Sequence, residues 1–160
     1  MKLSFTVFGP PTPKQRPRMT RRGVVFTPAK TLEHEARWAE AARGAMAELD
    51  FEWPLAADYK LTVAFFMPTK RMADVDNLVK CADGLNCVTF YDDVMISDIV
   101  ASRRYDKQNP RTEVTLEVMR EVPEAEALKH RLAYEKKLLR RATKRKKPST
   151  ARRPRRRVKR

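Results

Sequence analysis

The sequence predicts an α+β domain whose mixed β-sheet carries two main helices, followed by a basic C-terminal tail. The 160-residue chain is 42% apolar, enough for one hydrophobic core without disulfide or metal staples. Strand-like and helix-like apolar patterns alternate along residues 2–119 in the order β-(β)-α-β-α-β-β. Residues 1–120 carry 18 Lys and Arg against 16 Asp and Glu, whereas residues 121–160 carry 17 against 4. We therefore divide the chain into a body, 1–120, and a basic extension, 121–160.

The N-terminal elements follow from local patterns. Residues 2–8 alternate between apolar and polar and predict a strand, which Gly9-Pro10-Pro11-Thr12-Pro13 ends. A basic loop follows, and Gly23 predicts a turn into a short strand over residues 24–26. Thr27 as N-cap and Pro28 as first helical residue predict a helix start. Apolar residues three or four apart continue that helix to near residue 50.

Later segments complete the sheet. Residues 60–67 predict a central strand covered on both faces, because Phe65 and Phe66 are adjacent apolar residues. Residues 76–85 predict a short helix, and residues 95–105 and 111–119 predict two strands. The turn residues at 108–110 predict that these two strands form a hairpin. Beyond residue 121 we expect a helix and then an arm, residues 140–160. The arm has 13 Lys and Arg and no acid, so it cannot form a core and should be disordered when alone.

Composition excludes several classes of protein. No run of about 18 apolar residues exists, so we expect no membrane span. The first residues lack the apolar core of a signal peptide, which favours a cytoplasmic location. Two cysteines, Cys81 and Cys87, and two histidines are too few for a disulfide framework and argue against a zinc site. The basic tail is typical of an arm that binds a polyanion, and nucleic acid fits better than a bilayer.

Acidic residues at two places suggest a metal site. Asp74 and Asp76 lie where a strand passes into a helix, and converging carboxylates repel unless a cation lies between them. If Asp93 of the later Asp92-Asp93 pair joins them, three carboxylates suit Mg²⁺ or Mn²⁺. Lys80, one helical turn after Asp76, shares a predicted face with it and is placed to contact a phosphate. From the spacing alone, the same aspartates are equally typical of helix caps and turns.

The acidic motif resembles that of a known family. The string Asp74-x-Asp76-Asn77-Leu78-x-Lys80, followed by Asp83-Gly84-Leu85-Asn86 and Asp92-Asp93, closely resembles RusA-type Holliday junction resolvases. Pro13-Lys14-Gln15-Arg16-Pro17-Arg18 and Phe26-Thr27-Pro28 are similar to many members. The resemblance covers roughly residues 3–119, and it implies a location in the bacterial cytoplasm or in a phage-infected host cell. It implies a Mg²⁺-dependent, homodimeric endonuclease, with Asp74, Asp76 and Asp93 as catalytic metal ligands and Lys80 as catalytic lysine.

The chain departs from the family at one point, because two residues rather than three separate Lys80 from Asp83. We therefore leave Asp83 out of the metal set. The expected activity is hydrolysis of four-way and other branched DNA junctions, in recombination, repair or phage DNA processing, with Mg²⁺ replaceable by Mn²⁺. The basic loop supplies candidate DNA contacts, namely Lys14, Arg16, Arg18, Arg21 and Arg22. Two alternatives remain open at this point: a non-catalytic DNA-binding protein, and a metal nuclease acting on flap or duplex DNA.

Overall fold

The computed structural model describes residues 1–49, 56–70, 73–86 and 88–146. Its elements are β1 (Lys2–Phe8), β2 (Arg18–Met19), β3 (Val25–Phe26), α1 (Ala29–Ala47), β4 (Ala57–Met67), α2 (Val75–Val79), β5 (Ile96–Tyr105), β6 (Arg111–Glu121) and α3 (Glu124–Lys146). Two 3₁₀ segments, Lys80–Leu85 and Asp93–Met95, lie between α2 and β5. Cys87 and residues 147–160 of the predicted arm lie outside the described residues.

The main sheet has the strand order β1-β6-β4-β5. The pair β4 and β5 is parallel, and the other two pairs are antiparallel, so the predicted mixed α+β class is confirmed. A parallel pair needs a crossover connection, and α2 with its 3₁₀ continuation lies in that connection. A separate two-stranded ribbon is formed by β2 and β3.

The hydrophobic core lies between one face of the sheet and the helices. Alternate residues of β1, β4 and β6 are buried, as period-two geometry requires of a one-sided sheet. Trp38 of α1 is fully buried and its ring lies 6.4 Å from that of Phe65. Leu78 and Leu85 bury their side chains in the same core. This packing fixes the segment that carries the acidic motif against the sheet.

The predicted hairpin of β5 and β6 is wrong. The two strands are consecutive, but β4 lies between them and pairs with both. The turn that joins them passes the end of β4, where the Asp106 N–H donates to the Met67 carbonyl at 2.9 Å. The buried residues of β6 explain the arrangement, since Val114 and Leu116 need partners on both sides, whereas β5 is largely exposed and takes the edge.

The prediction that β4 is covered on both faces is also wrong within the described residues. One face is buried, but Thr62 is exposed on the other, and Phe66 is only half-buried. Charged side chains rather than a second layer cover Phe66. The guanidinium of Arg111 lies 3.7 Å from the centre of its ring, and that of Arg104 lies 5.9 Å away. A cation over an aromatic face replaces the missing apolar layer.

Three boundaries differ from expectation. The first helix begins one residue later than predicted, with Pro28 as N-cap and no side-chain capping bond, so Thr27 is not the cap. The predicted helix over residues 76–85 is split into α2 and a 3₁₀ segment, so the helical spacing ends at Val79. Residues 140–146, predicted to be disordered, continue α3.

The C-terminal helix begins three residues after β6 ends, at Glu124. The ring of Tyr134 on this helix lies 5.4 Å from the ring of Tyr91, next to the second acidic pair. The division near residue 121 stays a prediction. No helix in the described part of the chain is long and apolar enough to cross a membrane.

Candidate active site

Asp74 lies at the start of α2, where the core packing holds the chain in place. It occupies the N-cap position with extended backbone, φ −65° and ψ 126°, but its side chain makes no capping bond. Its Oδ2 instead accepts a hydrogen bond from the Asn77 amide at 3.3 Å. An aspartate that serves only as a cap would accept from the helix N–H groups. The carboxylate of Asp74 is therefore not used to terminate the helix.

Asp76 and Lys80 form an ion pair on the surface beside it. Lys80 Nζ donates to Asp76 Oδ2 at 3.0 Å and to Asn77 Oδ1 at 3.2 Å. The hydrogen bond from Lys80 lowers the pKa of the Asp76 carboxyl, which is fully ionised near neutral pH. Both side chains are more than half exposed, at 68% for Asp76 and 55% for Lys80. The predicted i, i+4 pair is present, and both groups are accessible to a substrate.

The second acidic group surrounds Asp93. Asp92 is the N-cap of the 3₁₀ segment Asp93–Met95, and its side chain makes no capping hydrogen bond to that segment. A hydrogen bond with Asp92 raises the pKa of the Asp93 carboxyl, and burial and the charges of Asp92 and Asp83 act in the same direction. Neighbouring carboxylates repel one another, and a nearby cation stabilises their charged forms.

Lys14 connects the acidic segment to the first helix. Its ammonium pairs with Asp83 and, at 3.0 Å, with Glu35 Oε1 on α1. Its backbone N–H donates to the Asn77 carbonyl at 2.9 Å. Burial opposes the charged form, but the hydrogen bonds to Asp83 and Glu35 outweigh it and raise the pKa of Lys14. The structure thus places this predicted DNA contact in a half-buried cluster with two acids.

A groove runs beside Asp74. It has a volume of about 600 Å³ and lies between the loop after β1 and the end of β4. Its polar lining includes Gln15, Lys30, Thr69 and Asn77. A second cavity of about 410 Å³ lies beside Asp83 and Glu35. Lys14 lines both cavities, together with Asp74 in the first and with Glu35 and Asp83 in the second.

Comparison with known proteins identifies the family. The Endodeoxyribonuclease RusA family matches residues 9–117, from the end of β1 into β6. The chain belongs to the RusA endodeoxyribonuclease family. The match contains Asp74, Asp76, Lys80 and Asp93, whereas α3 lies outside it. No curated protein matches the chain.

Nucleases of the RusA family are generally dependent on a divalent metal, for which carboxylate oxygens are suitable ligands. In the ranges that the structure describes, no three His, Cys, Asp or Glu side chains are grouped closely enough to form a metal site. Magnesium is held in many enzymes by one or two carboxylates, with water and substrate phosphate completing its shell. Asp74 and Asp76 offer two such carboxylates, and the Asp74 side chain makes no capping hydrogen bond. The grouping of Asp93 with them stays a prediction.

Three structural contacts of this RusA-family site were missed from the sequence. Glu35 pairs with Lys14, although it lies on a helix that showed only core periodicity. The Arg103 guanidinium on β5 donates to the Ala73 carbonyl, directly before Asp74. Gly84 packs so closely that a Cβ would overlap the Glu35 carbonyl oxygen and lie 2.9 Å from the Glu35 Cα. Gly84 in the string Asp83-Gly84-Leu85-Asn86 could have indicated this close approach, because a glycine lacks a Cβ and lets another backbone come near.

A buried histidine anchors the loop that carries Lys14. His34 Nε2 lies 3.3 Å from the Thr12 N–H and 3.2 Å from Trp38 Nε1, and Nδ1 lies 2.8 Å from the Arg37 guanidinium. All three partners carry N–H groups, so the second ring proton that would make the imidazole cationic is disfavoured. Burial, followed by the charges of Arg37 and Lys30, lowers the pKa of His34 to about 4. The ring is neutral at physiological pH and serves structure rather than proton transfer.

Proposed function

We propose that this chain is a Mg²⁺-dependent, structure-selective endonuclease that resolves four-way DNA junctions by phosphodiester hydrolysis. The proposal rests on the hydrogen bonding and exposure of the aspartate side chains. Asp74 and Asp92 stand at cap positions without capping, and Asp76 is exposed beside Lys80. The alternative, in which Asp74 and Asp92 serve only as helix caps, requires capping hydrogen bonds that neither side chain makes.

Each charged group has a separate role in the proposal. Asp74, Asp76 and Asp93 hold the metal. A bound Mg²⁺ supplies an activated water and positive charge for the phosphate oxygens. Lys80 places its ammonium near the scissile phosphate and stabilises charge that develops there. Mn²⁺ is expected to substitute, since it accepts the same oxygen ligands.

The substrate geometry favours a homodimer. Resolution of a junction requires two symmetric nicks, and a two-fold dimer presents two equivalent sites to a nearly two-fold substrate. Exposed arginines of the loop after β1 and the basic extension add phosphate contacts. Such contacts hold DNA in register without reading its sequence.

The direct test is incubation with labelled four-way junction, flap and linear duplex, in Mg²⁺ or in chelator. We expect paired nicks in the junction that require Mg²⁺, with much less cleavage of linear duplex. Cleavage of all three at equal rates would instead identify a general metal nuclease. Binding of DNA without cleavage in either Mg²⁺ or Mn²⁺ would identify a non-catalytic DNA-binding protein.

A further inference from the structure

The short ribbon between β1 and α1, residues 16–26, is formed but not packed into the core. It contains β2, β3 and the turn between them, and Arg16 and Pro17 precede β2. The Thr20 and Val24 backbones bond at 2.9 Å, the Gly23 N–H donates to the Thr20 carbonyl at 2.9 Å, and Gly23 has φ +77°. The Val24 N–H also reaches Thr20 Oγ1 at 3.2 Å. Every residue from 16 to 26 is exposed, so its own hydrogen bonds rather than core burial define its shape.

One face of the ribbon is apolar. Met19 pairs with Val25, and paired residues of an antiparallel ribbon lie on the same face. Met19 is 70% exposed and Val25 is 66% exposed. Large apolar side chains that lie together in water mark a surface that contacts a partner.

The charge around this face identifies the chemistry of the partner. Residues 12–32 contain six Lys and Arg and no Asp or Glu. Arg21 and Arg22 occupy the turn at the tip of the ribbon. Two copies of so basic a ribbon repel each other. The complementary partner is a polyanion that also offers apolar surface. Branched DNA has both properties, because its phosphates are negatively charged and its bases are exposed at the branch point.

The root of the ribbon is tied to the candidate active site. The Lys14 N–H donates to the Asn77 carbonyl on α2, and the Gln15 N–H donates to Thr31 Oγ1 on α1 at 3.1 Å. Lys14 and Gln15 also line the groove beside Asp74, and the ribbon begins at the next residue. A DNA strand bound in that groove would therefore pass the root of the ribbon.

We propose that Met19 and Val25 form a wedge that packs against unstacked bases at the branch point, while the adjacent arginines contact phosphates. This inference rests on the proposed function and extends it to the source of structure selectivity. Separating stacked bases costs a few kcal/mol per step, and less where pairing is already disturbed. An apolar wedge consequently favours a branch over continuous duplex.

The test uses the full chain with Met19→Ser and Val25→Ser together. The matched control is Met119→Ser with Val100→Ser, two exposed residues of the main sheet, at 52% and 50% exposure. The probe is a four-way junction with 2-aminopurine at the branch point, in Ca²⁺ so that binding is observed without cleavage. We expect fluorescence to rise on binding of the wild type and of the control variant. The ribbon variant should lose that rise and bind the junction about tenfold more weakly, the effect of removing a modest apolar interaction. Its affinity for linear duplex should stay unchanged.

Other outcomes overturn the wedge. Equal loss of affinity for junction and duplex would make the ribbon an ordinary phosphate contact. Conversion of a dimer to a monomer by the ribbon variant, seen by sedimentation, would make it a dimer arm. If the wild type resolves junctions in Mg²⁺ but gives no 2-aminopurine signal, only the wedge fails. If it neither prefers nor cleaves junctions, the proposed function itself fails.

Discussion

Acidification should destabilise the fold through His34. The ring is 1% exposed and faces three donors, and its pKa is lowered to about 4 from an ordinary value of 6.5. Because the unfolded chain binds this proton more readily than the native chain, stability falls as pH drops below 6.5 and the loss is complete below about 4. The contribution lost between pH 7.5 and pH 5 is about 2 kcal/mol, and the full loss is about 3 kcal/mol.

The assay is urea unfolding at several pH values for the wild type and for His34→Gln. Glutamine keeps an oxygen acceptor but cannot gain a proton in this range. The variant should be less stable at pH 7.5, and its stability should fall less than that of the wild type on going to pH 5. The other titrating groups are common to both chains, so the difference between the two pH profiles isolates His34.

A second measurement keeps the prediction testable if His34→Gln does not fold. The chain has two histidines, His34 and His130, so their ring signals are readily resolved by NMR. The signals of the buried ring should not titrate between pH 8 and pH 5.5. A midpoint near 6.5 for both rings would refute the argument from burial and donor contacts.

Three further predictions concern packing, catalysis and charge. Gly84→Ala should lower stability by about 1–3 kcal/mol in thermal unfolding because its Cβ overlaps Glu35, whereas Gly44→Ala, in open space within α1, should raise it by about 0.5–1 kcal/mol. Lys80→Ala should slow junction cleavage about 100-fold while changing the binding constant little; equal losses in rate and binding would make Lys80 an ordinary phosphate contact. Truncation after Lys146 removes eight positive charges and should flatten the plot of log affinity against log salt, by up to about 0.9 for each phosphate that is no longer neutralised, on junction and duplex alike. Cleavage at saturating DNA should persist after this truncation because Tyr134 and its contact with Tyr91 remain.

Local patterns were sufficient to predict most of the elements. Strict alternation over residues 2–8 and helical spacing after Pro28 gave a strand and a helix that the structure confirms. Strand pairing was less accessible, because adjacency in sequence favoured a hairpin. β4 lies between β5 and β6, where β6 can bury Val114 and Leu116. The local sequence pattern does not show which strand will cover these two residues. The predicted apolar cover over Phe66 was wrong for a related reason. The side chain over its ring is Arg111, which is distant in sequence.

In the candidate site too, contacts between residues close in sequence were predicted, and contacts between distant segments were not. The pair of Asp76 and Lys80 followed from one turn of helix and is present. The pairing of Lys14 with Asp83 and Glu35 joins residues from three segments and had no local signal. Spacing also left the aspartates equally suited to helix caps, and it could not show that the Asp74 and Asp92 side chains make no capping hydrogen bond. The grouping of Asp93 with Asp74 and Asp76 stays a prediction from the family resemblance.

The central claim is that Asp76 and Asp93 act as metal ligands in DNA cleavage. Asp76→Asn and Asp93→Asn keep the side-chain shape but remove one ligand charge each. Asp98→Asn, at an exposed position on β5, is the matched control. The decisive measurement is the rate of cleavage of a labelled four-way junction across a range of Mg²⁺ concentrations, with junction affinity measured beside it. We predict that both site variants lose at least about 100-fold in rate and retain or improve binding, while the control cleaves like the wild type. Cleavage by either site variant at a rate near that of the wild type would contradict the claim.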